Sequence, residues 1–122
     1  MTNPVRWFEI YVNDMERAKA FYGAVFGHAL TRLESPGMEM WAFPMGQDTY
    51  GASGTLVRMP GFQPAGNGVL VYFACDDCAV EAARAAQAGG KVQREKMSIG
   101  QYGFIALVTD TEGNTIGLHS MQ

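Results

Sequence analysis

The sequence has few cysteines, few charged residues and no long apolar run. Two cysteines in 122 residues are too few for the disulfide framework of a small secreted domain. Nine Lys and Arg residues against twelve Asp and Glu residues give a net charge of −3. Because the basic residues form no cluster, the charge pattern argues against a nucleic-acid partner. No window approaches the roughly 18 apolar residues of a membrane helix, so we expect no membrane partner.

The first residues, MTNPVRWFEI, contain no apolar stretch behind a charged start. This pattern predicts that no signal peptide is present. Two cysteines and eight methionines fit a reducing compartment better than an oxidising one. We therefore expect a cytoplasmic location.

The chain does contain an internal repeat. The stretch WFEIYVNDMERAKAFYGAVFG (7–27) is matched by LVYFACDDCAVEAARAAQAGG (70–90), with Asp77 falling on Asp14 at an offset of 63 residues (77 − 14). Each copy reads as an alternating strand, an acidic N-cap, a helix and a terminal glycine. Repetition of a whole supersecondary unit indicates that one module occurs twice.

Three short strand candidates follow each helix, so that each half reads βαβββ. In the second half they are 91–95, 102–109 and 115–120, with a loop expected at 97–103. The proline- and glycine-rich stretch 60–68 predicts a linker. The sequence therefore predicts one α+β domain of two βαβββ modules, at 1–59 and 69–122.

The chain resembles the vicinal oxygen chelate family in FEIYVNDMERAKAFYGAVFG, in VYFACDD followed by AQAGGKV, and in FIALVTDTEGNTIGLH. That family includes glyoxalase I, extradiol dioxygenases, fosfomycin-resistance enzymes and bleomycin-resistance proteins. The resemblance covers nearly the whole chain. It implies a glyoxalase-like fold, in which two βαβββ modules pair and their curved sheets enclose a cavity. It also implies a homodimer, with the modules pairing within one chain or between chains.

The metalloenzymes of that family carry metal ligands on the first and last strand of each module. The resemblance places these four positions at Trp7, Thr55, Leu70 and Gly117. An indole, a hydroxyl, an isobutyl group and a hydrogen atom are not a ligand set for a divalent metal. We therefore expect no metal and no cofactor, and glyoxalase I activity is disfavoured.

Side-chain alternation along the strands predicts which residues face the implied cavity. On the first strand, an apolar set (Phe8, Ile10 and Val12) should pack under the helix and leave the other set facing the cavity. The predicted ligand-binding residues are Trp7, Glu9, Tyr11, Thr55, Leu70, Tyr72 and His119. Aromatic walls with a few polar groups are typical of small-molecule sites. The leading hypothesis is therefore a protein that binds a small apolar or aromatic molecule in the cavity.

Two alternatives remain. Glu9 and His119 are candidate catalytic residues, because a carboxylate and an imidazole in an aromatic cavity suit acid–base chemistry. A lyase, isomerase or dioxygenase-type enzyme using these residues, or an unconventional metal site built on them, stays possible. The ordinary interpretation is that Glu9 pairs with a basic side chain and that His119 is exposed.

The second alternative is a redox protein, because Cys75 and Cys78 form a Cys-x-x-Cys pair at a helix N-terminus. However, the repeat aligns them with Val12 and Met15. Both of these are apolar positions, so we expect the cysteines to be small buried residues.

Overall fold

A computed structural model describes residues 3–48, 51–62, 64 and 68–122. The chain divides into two compact units. The first unit is Trp7–Val69, and the second comprises residues 3–6 together with 70–122. The N-terminal residues belong to the second unit, where the Ala74 amide donates a hydrogen bond to the Pro4 carbonyl at 2.9 Å.

The first unit contains four strands and one helix in the predicted βαβββ order. They are β1 (Val5–Tyr11, which begins in residues of the second unit), α1 (Met15–Phe26), β2 (Thr31–Leu33), β3 (Glu39–Ala42) and β4 (Ser53–Arg58). The strand order is β2-β3-β4-β1, and β1 runs parallel to β4 whereas the other pairs are antiparallel.

The second unit repeats this arrangement. Its elements are β5 (Val69–Ala74, which begins in the last residue of the first unit), α2 (Cys78–Gln87), β6 (Lys91–Ser98), a 3₁₀ turn (Gly100–Tyr102), β7 (Phe104–Thr109) and β8 (Thr115–Ser120). The strand order is β5-β8-β7-β6, with β5 parallel to β8. The predicted α+β class and the repeated module are confirmed.

Both predicted helix starts are confirmed by their caps. The Asp14 carboxylate accepts a hydrogen bond from the Arg17 amide at 3.1 Å, and the Asp77 carboxylate accepts one from the Ala79 amide at 3.1 Å. Each cap provides a partner for an amide that the first helical turn leaves unpaired. The first helix ends at Gly27, whose φ of 72° is the left-handed conformation that glycine adopts without strain. The two repeats therefore begin their helices by the same local chemistry.

Each helix packs on one face of its own strands. In the first unit the core contains Met15, Phe43 and Leu56, with Phe8 and Ile10 packed against it. In the second unit the core contains Cys78, Ala82, Ala106, Val108 and Leu118. We call the opposite face of each unit's strands its helix-free face.

The predicted loop at 97–103 and the predicted linker at 60–68 have different outcomes. The loop expected at 97–103 was wrong at its start, because β6 continues to Ser98 and pairs there with Phe104 of β7. The predicted linker 60–68 lies partly outside the described residues, at 63 and 65–67. Among the described residues, no helix is long and apolar enough to cross a bilayer.

Candidate functional site

On the first unit, the predicted ligand-binding residues of β1 and β4 lie on the helix-free face. Phe8, Ile10 and Val12 pack against the α1 core, and side chains alternate along a strand. The other set on β1, namely Trp7, Glu9 and Tyr11, therefore points away from α1. Strand register places Glu9 beside Thr55 and Tyr11 beside Val57 on β4.

Glu9 and Tyr11 form a contact on this face. The Tyr11 hydroxyl donates a hydrogen bond to Glu9 Oε1 at 2.5 Å. The Tyr11 ring also stacks on Phe62, with 4.9 Å between ring centroids and 25° between ring planes. The Tyr11 amide donates to the Gly68 carbonyl at 2.7 Å. These contacts hold the phenol, and through it one carboxylate oxygen, in a fixed position.

Thr55 is the most deeply buried polar residue of this face, with 0% of its surface exposed. Within the part of the chain that the structure describes, its Oγ1 atom has no hydrogen-bond partner. Its register neighbours are Glu9 on β1 and Ala42 on β3. A buried hydroxyl without a partner is costly, so such groups are uncommon in cores and occur at sites that bind a ligand or a water molecule.

In the second unit, side chains of β5 and β8 alternate in the same way between the core and the helix-free face. Phe73 and Leu118 are register partners and pack with the α2 core. By alternation Leu70, Tyr72 and His119 lie on the helix-free face. Leu70 and Tyr72 are buried, at 5% and 7% exposure, and His119 is half-buried.

The Tyr72 ring lies directly over Gly117. A Cβ atom added to Gly117 would come within 2.3 Å of Tyr72 Cδ1, which is closer than any real contact. The two residues are register partners on β5 and β8. Gly117 is therefore required by the ring, and any longer side chain at this position would need the ring to move.

His119 is held by a backbone carbonyl. Its Nε2 atom lies 2.6 Å from the Tyr102 oxygen, and because a carbonyl only accepts, Nε2 carries the hydrogen. Its Nδ1 atom is buried and has no partner among the described residues. The ordinary interpretation, that His119 is simply exposed, is therefore wrong.

The four positions that the resemblance assigns to the family's metal ligands carry side chains that do not form a donor set for a divalent metal. Gly117 offers no donor, and the Tyr72 ring fills the space beside it. Leu70 has no donor either, and the described residues contain no group of three or more His, Cys, Asp or Glu that could hold a metal ion. Thr55 contributes only a neutral hydroxyl, which is a weak ligand.

The cysteine pair is part of the second unit's core. Cys78 is 0% exposed, and Cys75 packs against the same core. Burial, and after it the negative charge of Glu81, raises the pKa of the Cys75 thiol to about 11. A thiol with that pKa is protonated at neutral pH and is a poor nucleophile. The expectation of a small buried residue is confirmed for Cys78, whereas Cys75 is only partly buried. The raised pKa of Cys75 argues against the redox alternative.

Sequence reasoning missed one cavity, which lies on the α1 side of the first unit. It measures about 270 Å³ and is lined by Phe8, Ile10, Tyr22, Phe26, His28, Phe43, Pro44, Ala52 and Ser53. His28 is exposed, and its ring stacks on Phe26. The Ser53 hydroxyl is already within hydrogen-bonding distance of the Phe43 and Pro44 carbonyls. The cavity lining is thus mainly apolar, whereas two buried polar atoms without a partner, Thr55 Oγ1 and His119 Nδ1, belong to the helix-free faces.

A search of protein families matches residues 5–118 to the glyoxalase/bleomycin resistance protein/dioxygenase superfamily. Among curated proteins, the chain is similar to "Putative glyoxylase CFP32" of Mycobacterium bovis and of Mycobacterium tuberculosis. The identity is 32% over 112 residues in each case, covering 92% of this chain and 42% of the relative. The chain therefore spans less than half the length of these relatives.

Solved structures show the same fold. Methylmalonyl-CoA epimerase from Mycobacterium tuberculosis aligns with a TM-score of 0.68 at 15% identity, over 98% of this chain and 88% of that one. The Streptomyces coelicolor epimerase in complex with 2-nitronate-propionyl-CoA gives 0.68 at 16%, over 98% of both chains. The protein BH1468 of Bacillus halodurans gives 0.73 at 11%, over 100% and 96%. At these identities the likeness concerns the fold alone.

Proposed function

We propose that this chain, which belongs to the glyoxalase/bleomycin resistance protein/dioxygenase superfamily, binds a small apolar or aromatic molecule on its helix-free faces. In this proposal no metal occupies the family's usual positions. The ligand would contact Trp7, Glu9, Tyr11, Thr55, Leu70, Tyr72 and His119. The cavity between the modules, the homodimer and the cytoplasmic location stay predictions.

One observation carries the proposal. Three buried side-chain polar atoms in the described residues lack a partner, and two of them are Thr55 Oγ1 and His119 Nδ1. Both belong to residues that the sequence pattern assigns to the helix-free faces. Leaving a buried polar atom unpaired costs about 1–3 kcal/mol. Two such atoms on these faces therefore support a site where a ligand supplies the missing hydrogen-bond partners. A bound molecule that pairs with them recovers that cost.

The experiment that tests the proposal compares wild type with Thr55→Val. Valine keeps the shape of threonine and removes the unpaired hydroxyl, so we expect the unfolding free energy to rise by up to about 1 kcal/mol. Ligand affinity should fall at the same time. A library of small apolar and aromatic molecules, screened by thermal shift, supplies the ligands.

Thr31→Val is the matched control. Thr31 shares the helix-free face and is the register partner of Ala42, as Thr55 is, but it is exposed. Its substitution should change neither stability nor affinity appreciably. If Thr55→Val lowers stability and leaves every affinity unchanged, the hydroxyl has a structural partner and the proposal loses its main support.

The absence of a metal requirement has its own test. Protein purified without chelator or nickel resin should contain less than about a tenth of an equivalent of divalent metal, before and after soaking in zinc, manganese or iron(II). Ligand affinity should also be unchanged by these ions. A stoichiometric metal would overturn this part of the proposal and make Glu9 and His119 the first ligands to examine.

An acid–base enzyme is the second candidate, favoured by the hydrogen bond from the Tyr11 hydroxyl to Glu9. A fixed carboxylate on a binding face can remove a proton from an acidic C–H group. For any ligand that carries such a group, exchange with D2O followed by proton NMR measures this step. Catalysis predicts that Glu9→Gln abolishes exchange and retains binding, whereas a pure binding protein shows no exchange in wild type.

A further inference from the structure

The His119 side chain is fixed in one tautomer by a turn of the second unit. The Gly100–Tyr102 turn is closed by hydrogen bonds from the Ile99 amide to the Gly103 carbonyl at 2.8 Å and from the Gly103 amide to the Gly100 carbonyl at 3.2 Å. This turn presents the Tyr102 carbonyl to His119 Nε2 at 2.6 Å. In a neutral imidazole one nitrogen carries the hydrogen and the other is a lone-pair acceptor. The acceptor is therefore Nδ1.

The turn is held against β8 by a glycine that no other residue can replace. Gly103 has a φ of 102°, and a Cβ atom there would lie 2.4 Å from the Ser120 carbonyl oxygen. This close approach brings Tyr102 within reach of the residue before Ser120. The carbonyl that orients the imidazole thus belongs to backbone that is positioned by the fold.

The Nδ1 atom has no alternative partner on its own strands. The register neighbours of His119 are Ala74 on β5 and Ile105 on β7, and neither side chain has a polar atom. Nδ1 is nevertheless buried. An acceptor that is oriented by one hydrogen bond and left unpaired on its other side is suited to a donor that arrives with a ligand.

We propose that His119 Nδ1 is the hydrogen-bond acceptor for an N–H or O–H group of the bound molecule, and that Tyr102 acts as the positioning residue through its carbonyl. This inference rests on the proposed binding function and narrows it. The ligand class becomes apolar or aromatic molecules that carry a hydrogen-bond donor, such as phenols or N–H heterocycles. Molecules of the same shape without the donor are discriminated against.

Two substitutions separate the roles of the two ring nitrogens. His119→Gln places an amide nitrogen near the position of Nε2, so it can still donate to Tyr102 but has no acceptor at Nδ1. His119→Asn places an amide oxygen near Nδ1, so it keeps the acceptor and loses the bond to the turn. The pair therefore distinguishes ligand recognition from support of the turn.

The test uses phenol and toluene, which have similar shapes and differ in the hydroxyl. Their dissociation constants are measured by NMR titration for wild type and both variants. We expect the preference for phenol over toluene to fall about tenfold in His119→Gln and to be largely retained in His119→Asn. A long-range proton–nitrogen NMR spectrum of the free wild-type protein at pH 8 should show the hydrogen on Nε2.

The outcomes are distinct. A hydrogen on Nδ1, or the same preference for phenol in wild type and His119→Gln, overturns the inference and leaves binding on the helix-free faces intact. If neither probe shifts the signals of Thr55, Tyr72 or His119 up to its solubility limit, the proposed function itself is wrong and the inference falls with it.

Discussion

In the first unit, α1 packs long and aromatic side chains against its strands, whereas in the second unit α2 packs a cysteine and alanines. Met15 and Cys78 occupy the same position of the repeat, immediately after the capping aspartate, and both are buried. The helices also differ on their outer sides. Phe21, Val25 and Phe26 of α1 are each more than half exposed. The comparison shows that one module order tolerates two quite different cores, because helix–strand packing needs matched volume and not particular residues.

The helix-free faces differ in a comparable way. At the equivalent register, the first unit places Glu9 beside Thr55, and the second places Tyr72 over Gly117. One pair is polar, with a fixed carboxylate next to an unpaired hydroxyl. The other pair is an aromatic ring that occupies the space of a missing side chain. The two modules thus share their backbone arrangement, while their helix-free faces differ in chemistry.

The largest expected effect on stability comes from substitutions that compare the cores of the two units. Met15→Ala removes several buried heavy atoms and should lower the unfolding free energy by about 2–4 kcal/mol. Cys78→Ala removes a single sulfur from the equivalent position and should cost about 1 kcal/mol. Urea unfolding of both variants measures the two values. Equal costs would mean that the core around Met15 collapses onto the vacated space.

A smaller effect is expected at the ring of the second unit. Gly117→Ala should cost about 1–3 kcal/mol, because the added Cβ collides with Tyr72. In the Tyr72→Ala background the same change should cost little, and a double-mutant cycle by chemical denaturation measures the coupling.

Gly23→Ala in α1 is the matched control for Gly117. A Cβ atom at Gly23 would lie 3.4 Å from the His28 carbonyl oxygen, so the change removes a poor helix former without a collision. It should stabilise the protein by up to about 1 kcal/mol. If Gly117→Ala costs the same with and without the Tyr72 ring, the ring is not the reason for the glycine.

The smallest expected effect concerns the two capping aspartates and the dependence of stability on pH. The hydrogen bond from Lys96, at 2.9 Å, lowers the pKa of Asp77 below its ordinary value of 3.8. A lowered folded-state pKa contributes stability that is present above 3.8 and is lost as the pH falls through the folded value. Asp77→Asn should therefore weaken the dependence of stability on pH in this acidic range.

Asp14→Asn is the control for this measurement. Asparagine can cap a helix as aspartate does, and no ion pair to Asp14 occurs among the described residues. Thermal unfolding between pH 2 and pH 6, at steps of about one unit, should show a larger change for Asp77→Asn than for Asp14→Asn, because only Asp77 contacts Lys96. Identical profiles for the two variants would show that Lys96 does not act on Asp77 in solution.

Much of the fold could be predicted because its signals are local. The offset of 63 residues between the capping aspartates (77 − 14), the acidic cap in each copy and the glycine at the end of each copy indicated both helices. Strand alternation assigned Phe8 and Ile10 to the core side and Glu9 to the other. The end of β6 was wrong, since pairing with β7 carries an extended strand past the position where local sequence predicts a loop.

For the candidate site, the sequence predicted which face of a strand each residue occupies, but not which residues contact one another. Alternation placed Thr55, Tyr72 and His119 on the helix-free side, because the period of a strand is a property of the backbone. Alternation could not show that a carbonyl from a distant turn orients His119, or that the Tyr72 ring covers Gly117. Those contacts join residues that are far apart in sequence.

The sequence by itself therefore determined the repeated module, its caps and the side of each strand that faces away from the helix, since these depend on near neighbours and on backbone periodicity. Only the tertiary structure decided which polar atoms on those sides are paired. Hydrogen-bond partners such as Tyr102 for His119 are selected by strand register and turn geometry. That Thr55 Oγ1 and His119 Nδ1 lack a hydrogen-bond partner can be determined only from the positions of the surrounding residues.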